Sequence, residues 1–126
     1  MTFDEIKRII GRSKPGHEES DIQQACVRWF RLAHPECLCF AVPNGGRRDA
    51  VTGAKLKGEG VMAGVSDLVI VAEGKVLFIE MKTRKGRQQE SQKEFQRRVE
   101  TLGHKYIVCR SLDDFMEMVG DWVKNR

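Results

Sequence analysis

Apolar residues recur at helical spacing in four stretches of the chain and run together in four others. Phe3, Ile6, Ile9 and Ile10 follow a Thr2/Glu5 capping-box pattern, which predicts a short helix over residues 3–10. The glycines and proline of residues 11–16 break it. Ile22, Ala25, Cys26, Trp29, Phe30 and Ala33 form one stripe, which predicts a longer helix over residues 18–33, closed by Pro35. A third helix is predicted over residues 88–102 and ends at Gly103. A Ser111/Asp114 cap opens the last, which carries Leu112, Phe115, Met116, Val119, Trp122 and Val123. Strands are predicted over residues 37–42, 65–71, 76–82 and 106–109. The order is α-α-β-β-β-α-β-α. Residues 43–64 are rich in glycine and basic side chains, have no clear period, and read as a long functional loop.

The chain has 126 residues, the size of one domain, and its 40% hydrophobic content supports a single core. Residues 1–126 are therefore expected to form one domain with its core over about 18–110. No run approaches the ~18 apolar residues of a membrane span, and the first residues lack a signal-peptide core. A soluble, cytoplasmic protein with no membrane partner is expected. Cys26, Cys37, Cys39 and Cys109 form no CxxC pair and read as buried, reduced thiols.

Charge changes the picture. The net charge is +4, but it is unevenly spread. Residues 82–98 carry seven basic side chains against two acidic ones, and residues 47–57 carry four against one. These stretches hold +8, so the rest of the chain holds −4. A basic zone on an acidic body points to a polyanion partner, although a solvated basic face has the same composition.

The most informative chemistry lies in the second and third strands. A Glu73-Gly74 turn pairs Ala72 with Lys75 and, carried down the ladder, Asp67 with Glu80. An odd-numbered loop would separate them. Directly opposed residues have Cβ atoms about 4.5–5.5 Å apart. Two carboxylates so placed repel, and are expected to hold a proton or a cation. Lys82 shares their face, two residues beyond Glu80. The oxygens suit Mg²⁺ or Mn²⁺, and the lysine suits a water or a developing oxyanion. A surface ion pair at a strand end is the plainer alternative.

Asp67, followed thirteen residues later by Glu80-Met81-Lys82, resembles the core of PD-(D/E)xK nucleases. More closely, the chain resembles the VRR-NUC family of virus-type replication-repair nucleases. The matching pieces are Glu19 to Gln23, Pro43-Asn44-Gly45-Gly46-Arg47, Gly60 to Leu68, Ile79-Glu80-Met81-Lys82 and Gly86 to Gln92. Ser66 departs from the proline of the superfamily name and supplies no ligand.

The resemblance implies a restriction-endonuclease-like α/β fold, with a central mixed sheet flanked by helices. It implies Asp67, Glu80 and the Met81 backbone carbonyl as ligands of the catalytic Mg²⁺ or Mn²⁺. Lys82 would act on the attacking water, Glu19 would approach the metal directly or through water, and Gln92 would support Lys82 or the phosphate. Gln23 lies on the helix face of Glu19 and is expected to contact DNA, although an exposed helix position is the plainer reading. Asn44, Arg47, Arg48, Lys55 and Lys57, with Arg84, Lys85 and Arg87, are the expected phosphate contacts. No recognition helix stands out, so structure-selective cutting is expected over sequence-specific cutting. Small members of the family, often phage-encoded, are homodimers linked to branched DNA such as Holliday junctions. The interface is expected on Trp29 and Phe30 or on Trp122 and Val123. A nickase or flap nuclease, a non-catalytic nucleic-acid binder and a protein-interaction domain remain open alternatives.

Overall fold

Two apolar runs separated by Glu73-Gly74 fold back on each other, and the rest of the sheet grows from that hairpin. The computed structural model describes residues 4, 18–43 and 50–125. In chain order the elements are α1 (Glu18–Ala33), β1 (Leu38–Ala41), α2 (Ala50–Gly58), β2 (Leu68–Ala72), β3 (Lys75–Met81), α3 (Glu90–Thr101), β4 (Lys105–Cys109) and α4 (Leu112–Lys124). The sheet order is β1-β2-β3-β4. β2 runs antiparallel to its neighbours β1 and β3, whereas β4 runs parallel to β3. The parallel step needs a crossover, which α3 supplies.

Strand alternation divides the sheet into two faces. One carries Cys39, Ile70, Leu77, Ile79 and Ile107 against Ile22, Cys26 and Phe30 of α1 and Phe115 and Val119 of α4. α1 forms there because its apolar residues make one stripe, while Glu18, Glu19 and Asp21 favour the positive end of its dipole. The opposite face carries Phe78 and Tyr106. Phe95 of α3 packs edge-on against both, with ring centroids 5.6 and 6.2 Å away. The result is a mixed sheet between helices, the α/β architecture expected. Among the described residues no helix is long and apolar enough to cross a membrane.

The helix predicted over residues 3–10 lies outside the described residues, Asp4 apart. Three details differ from the sequence reading. Residues 43–64, read as loop, contain α2, so the described order has a helix between β1 and β2. α2 buries no residue and presents no apolar stripe, so periodicity cannot reveal it. α3 begins at Glu90, because Gln89 is extended and serves as its N-cap. Finally, the apolar stripes expected at a dimer interface are used within the fold. Phe30 is fully buried, Trp29 stacks edge-on against Phe115 at 6.0 Å, and Trp122 and Val123 pack against the core.

All four cysteines are free, and three are buried. Burial pushes the Cys39 and Cys109 thiols up to about 11 and about 12, which keeps them neutral and unreactive.

Gly64 locks the approach to β2. Its φ is +82°, and a Cβ there would lie 2.1 Å from the Ser91 carbonyl oxygen. Gly103 has φ +87° but open space around it. Gly103→Ala should therefore cost about 1–2 kcal/mol through backbone strain alone. Gly64→Ala should cost more, about 3 kcal/mol. Urea denaturation of the two variants checks the order.

Candidate functional site

The hairpin ladder runs from Ala72↔Lys75 down to Leu68↔Ile79, and one further step sets Asp67 opposite Glu80. Asp67 has left the strand, yet the sheet still holds it from both sides. Its carbonyl accepts from the Val42 amide at 2.9 Å, and its Oδ2 accepts from the Met81 amide at 2.7 Å. Ser66, fully buried beside it, donates to the Leu68 carbonyl at 3.1 Å, which shapes the turn into β2.

Glu80 is 1% exposed, near the end of a strand that is apolar from Val76 to Ile79. A buried carboxylate is costly unless its oxygens find donors. Here Oε1 accepts from Gln92 Nε2 at 3.1 Å and lies 3.8 Å from the Lys82 ammonium. Oε2 accepts from the Tyr106 hydroxyl at 3.2 Å. Burial pushes the Glu80 carboxyl up to about 8, aided by its hydrogen bond to Asp67 and by the Asp67 charge. Lys82 and Tyr106 pull the other way. The carboxyl pair is thus a site where a proton, or a cation in its place, relieves repulsion.

α1 brings Glu19 toward the same end of the sheet. Burial raises its carboxyl, the Asp67 charge adds to this, and Lys82 offsets part of it. Gln23, one turn on, lines a cleft of about 450 Å³ with Glu19, Arg28 and Arg31. Among the described residues no set of three or more His, Cys, Asp or Glu side chains is gathered tightly enough to hold an ion by itself. Asp67 and Glu80 are the close pair, and Glu19 acts on them from further away.

Gln92 has a different partner from the one expected. Its Oε1 accepts from the Gln89 amide at 2.7 Å as part of the α3 cap, which turns its Nε2 toward Glu80 and not toward Lys82 or solvent. Sequence reading missed Tyr106 altogether. The signal was its place in β4, because Glu80 pairs with Val108 and Tyr106 therefore shares the face of Glu80. That signal is legible only once β4 is known to lie parallel beside β3.

The basic side chains form two placed groups. Arg84, Lys85 and Arg87 are exposed on the loop between β3 and α3, directly after Lys82. Arg110 holds this loop from beneath, its Nη1 donating to the carbonyls of Thr83 at 2.8 Å and Gly86 at 2.6 Å. Lys55 and Lys57 are exposed on α2. Asn44, Arg47 and Arg48 lie outside the described residues. On α3, Lys93 and Arg97 pair with Glu90 and Glu94, whereas Arg84, Lys85 and Arg87 of the loop make no ion pair among the described residues.

The raised Glu80 carboxyl has a measurable consequence. Folding favours its protonated form, because the carboxyl sits at about 8 in the folded chain against 4.5 ordinarily. Its contribution to stability is complete below about pH 4.5 and is lost as pH rises through about 8. Without divalent ions, the wild-type chain should therefore lose stability over that window relative to Glu80→Gln. Urea melts at about pH 5 and about pH 8.5 check this, and parallel pH profiles for the two chains would contradict it.

The family model described as the VRR-NUC domain matches residues 17–113. A solved structure described as a VRR_NUC domain protein superposes with a TM-score of 0.69 at 21% sequence identity, covering 84% of this chain and 88% of that one. At that identity the likeness is one of fold. No curated protein matches the chain. The family match spans most of the residues, including both carboxylates of the hairpin, so the chain belongs to the VRR-NUC domain family and has its nuclease-type fold.

Proposed function

We propose that this chain is a divalent-metal-dependent endodeoxyribonuclease that hydrolyses phosphodiester bonds in branched DNA. The observation that carries the reading is the convergence of Asp67, Glu80 and Lys82 at one end of the sheet, beside a loop of free basic charge.

The residues fit a Mg²⁺ or Mn²⁺ ion. Asp67 and Glu80 are hard oxygen donors, and their mutual repulsion is relieved by added positive charge. Oδ2 of Asp67 is held by the Met81 amide, which orients the carboxylate. The Met81 carbonyl would be a further ligand, and Glu19 would approach the ion directly or through water. When bound, the ion polarises the scissile phosphate and lowers the pKa of a coordinated water. Lys82, half-buried and 3.8 Å from Glu80, holds the attacking water or neutralises the charge growing on the phosphate oxygens. The water oxygen forms the new P–O bond as the bond to the leaving nucleotide oxygen breaks.

Arg84, Lys85, Arg87, Lys55 and Lys57 hold the backbone, with Asn44, Arg47 and Arg48 continuing that path and Gln23 beside Glu19. Phosphate contacts position a duplex without reading its bases, which favours recognition of DNA shape. Paired cuts in opposed strands of a junction need two such sites, which a homodimer supplies. Such a dimer would use a surface other than the two apolar stripes, which pack within the fold.

Asp67→Asn and Glu80→Gln should each abolish cleavage of a four-way junction while leaving DNA binding nearly unchanged, because each removes a ligand charge and no phosphate contact. Lys82→Ala should lower kcat by about 10²–10³-fold. Chelation should stop cleavage, and Mn²⁺ should restore it. Equal loss of binding and cleavage in the carboxylate variants would count against their role as metal ligands, and DNA binding with no cleavage at any Mg²⁺ or Mn²⁺ concentration would point to a non-catalytic binder.

Affinity for DNA should fall steeply with salt. With about four phosphate contacts, the log–log slope should be roughly −3 to −4. Replacing Arg84 and Arg87 together by alanine should flatten it by about two units. An unchanged slope would place the DNA on another surface.

A further inference from the structure

Tyr106 lies in the interior, 5% exposed, and a phenylalanine would satisfy its ring contact with Phe95. The hydroxyl therefore needs its own account, because a buried hydroxyl without partners is costly. It has two partners. Gln88 Nε2 donates to it at 3.2 Å, and it donates to Glu80 Oε2 at 3.2 Å. Gln88 Nε2 also donates to Gln96 Oε1 at 2.9 Å, which uses both hydrogens of that amide. An amide nitrogen only donates, so the hydroxyl accepts from Gln88 and its own hydrogen points to Glu80, which runs the chain in one direction, from Gln88 through Tyr106 to Glu80.

The other oxygen of Glu80 is held in a similar way. A backbone amide only donates, so the bond from Gln89 fixes Oε1 of Gln92, and Nε2 of Gln92 must face Glu80. Each Glu80 oxygen thus meets one neutral donor whose own orientation is set by a second hydrogen bond. The donors come from α3 and β4, on one side of β3, whereas Asp67 approaches from β2 on the other.

We infer that Tyr106 is a positioning residue: it holds the Glu80 carboxylate in the orientation that meets a divalent cation, and it is itself oriented by Gln88. This rests on the metal-dependent reading above. Partners of this kind commonly change metal affinity by about ten-fold or more when removed. Gln88 directly follows Arg87, so the start of the same network adjoins the basic loop.

The test is Mn²⁺ titration calorimetry on the full chain without DNA, with thermal melts of every variant. Tyr106→Phe deletes one oxygen and keeps the ring, and should weaken Mn²⁺ binding about ten-fold. Gln88→Met keeps the tyrosine but removes its orienting donor, and should shift affinity in the same direction by a smaller factor. Phe95→Leu disturbs the packing of the same ring without touching the hydroxyl. It should lower the melting temperature and leave Mn²⁺ affinity at the wild-type value. Wild-type affinity in folded Tyr106→Phe would overturn the inference alone, as would equal weakening by Phe95→Leu. If Tyr106→Phe fails to fold, Gln88→Met decides by the same readout, and wild-type affinity there overturns the inference. A wild-type chain that binds no Mn²⁺ would overturn the metal-dependent reading and this inference with it.

Discussion

The register of the β2–β3 hairpin governs both the core and the candidate site. Gly74, with φ +74°, lets the chain reverse within two residues, so Ala72 pairs with Lys75 and every later pair follows. A slip of one residue would turn Leu77, Ile79 and Met81 out of the core and drive Glu80 into it. The same register sets Asp67 against Glu80 where the ladder ends. The turn is tied to the rest of the domain by Lys75. Its ammonium reaches the carbonyls of Trp122 and Asn125 and lies 4.5 Å from the Trp122 ring centroid, so the last helix braces the hairpin.

The two faces of the sheet have different tasks. The face under α1 and α4 is apolar throughout its centre and supplies the hydrophobic stabilisation. The face under α3 carries Glu80, the one fully buried carboxylate among the described residues, and Gln92 and Tyr106 beside it act as donors. Among the described residues no buried side-chain nitrogen or oxygen lacks a hydrogen-bond partner. A satisfied network of this kind is tolerated inside a protein, whereas a partly satisfied one is costly. α3 therefore does more than cross from β3 to β4. Its first turn presents Gln92 to Glu80, its second presents Phe95 to the sheet, and Gln96 orients Gln88.

Electrostatics divide along the same line. Acidic charge gathers at the sheet end, and basic charge on the loop that follows Lys82. Arg110 accounts for how that loop keeps its shape. A guanidinium beneath several carbonyls satisfies backbone groups that a short irregular segment cannot pair among themselves. The loop thus carries exposed basic side chains on a backbone held in place by Arg110.

Much of this was legible in the sequence. The stripe of Ile22, Cys26 and Phe30 marks α1, and the alternation around Glu73-Gly74 yields the hairpin and its register. The opposition of Asp67 and Glu80 follows from that register alone. These features are local, and local spacing carries them. Tertiary structure decided the rest. Nothing in the sequence says that β4 lies parallel beside β3, so nothing there brings Tyr106 to Glu80. Gln92 has an exposed helical position by its spacing, and only the packing of α3 turns it onto the carboxylate. α2 has no apolar face to betray it. The stripes of Trp29 and Trp122 have the same spacing whether they meet a partner or each other's helices. Only the packing of α1 against α4 shows that they close one core. Contacts between residues distant in the chain leave no period behind, and so the surroundings of Glu80 had to be seen folded.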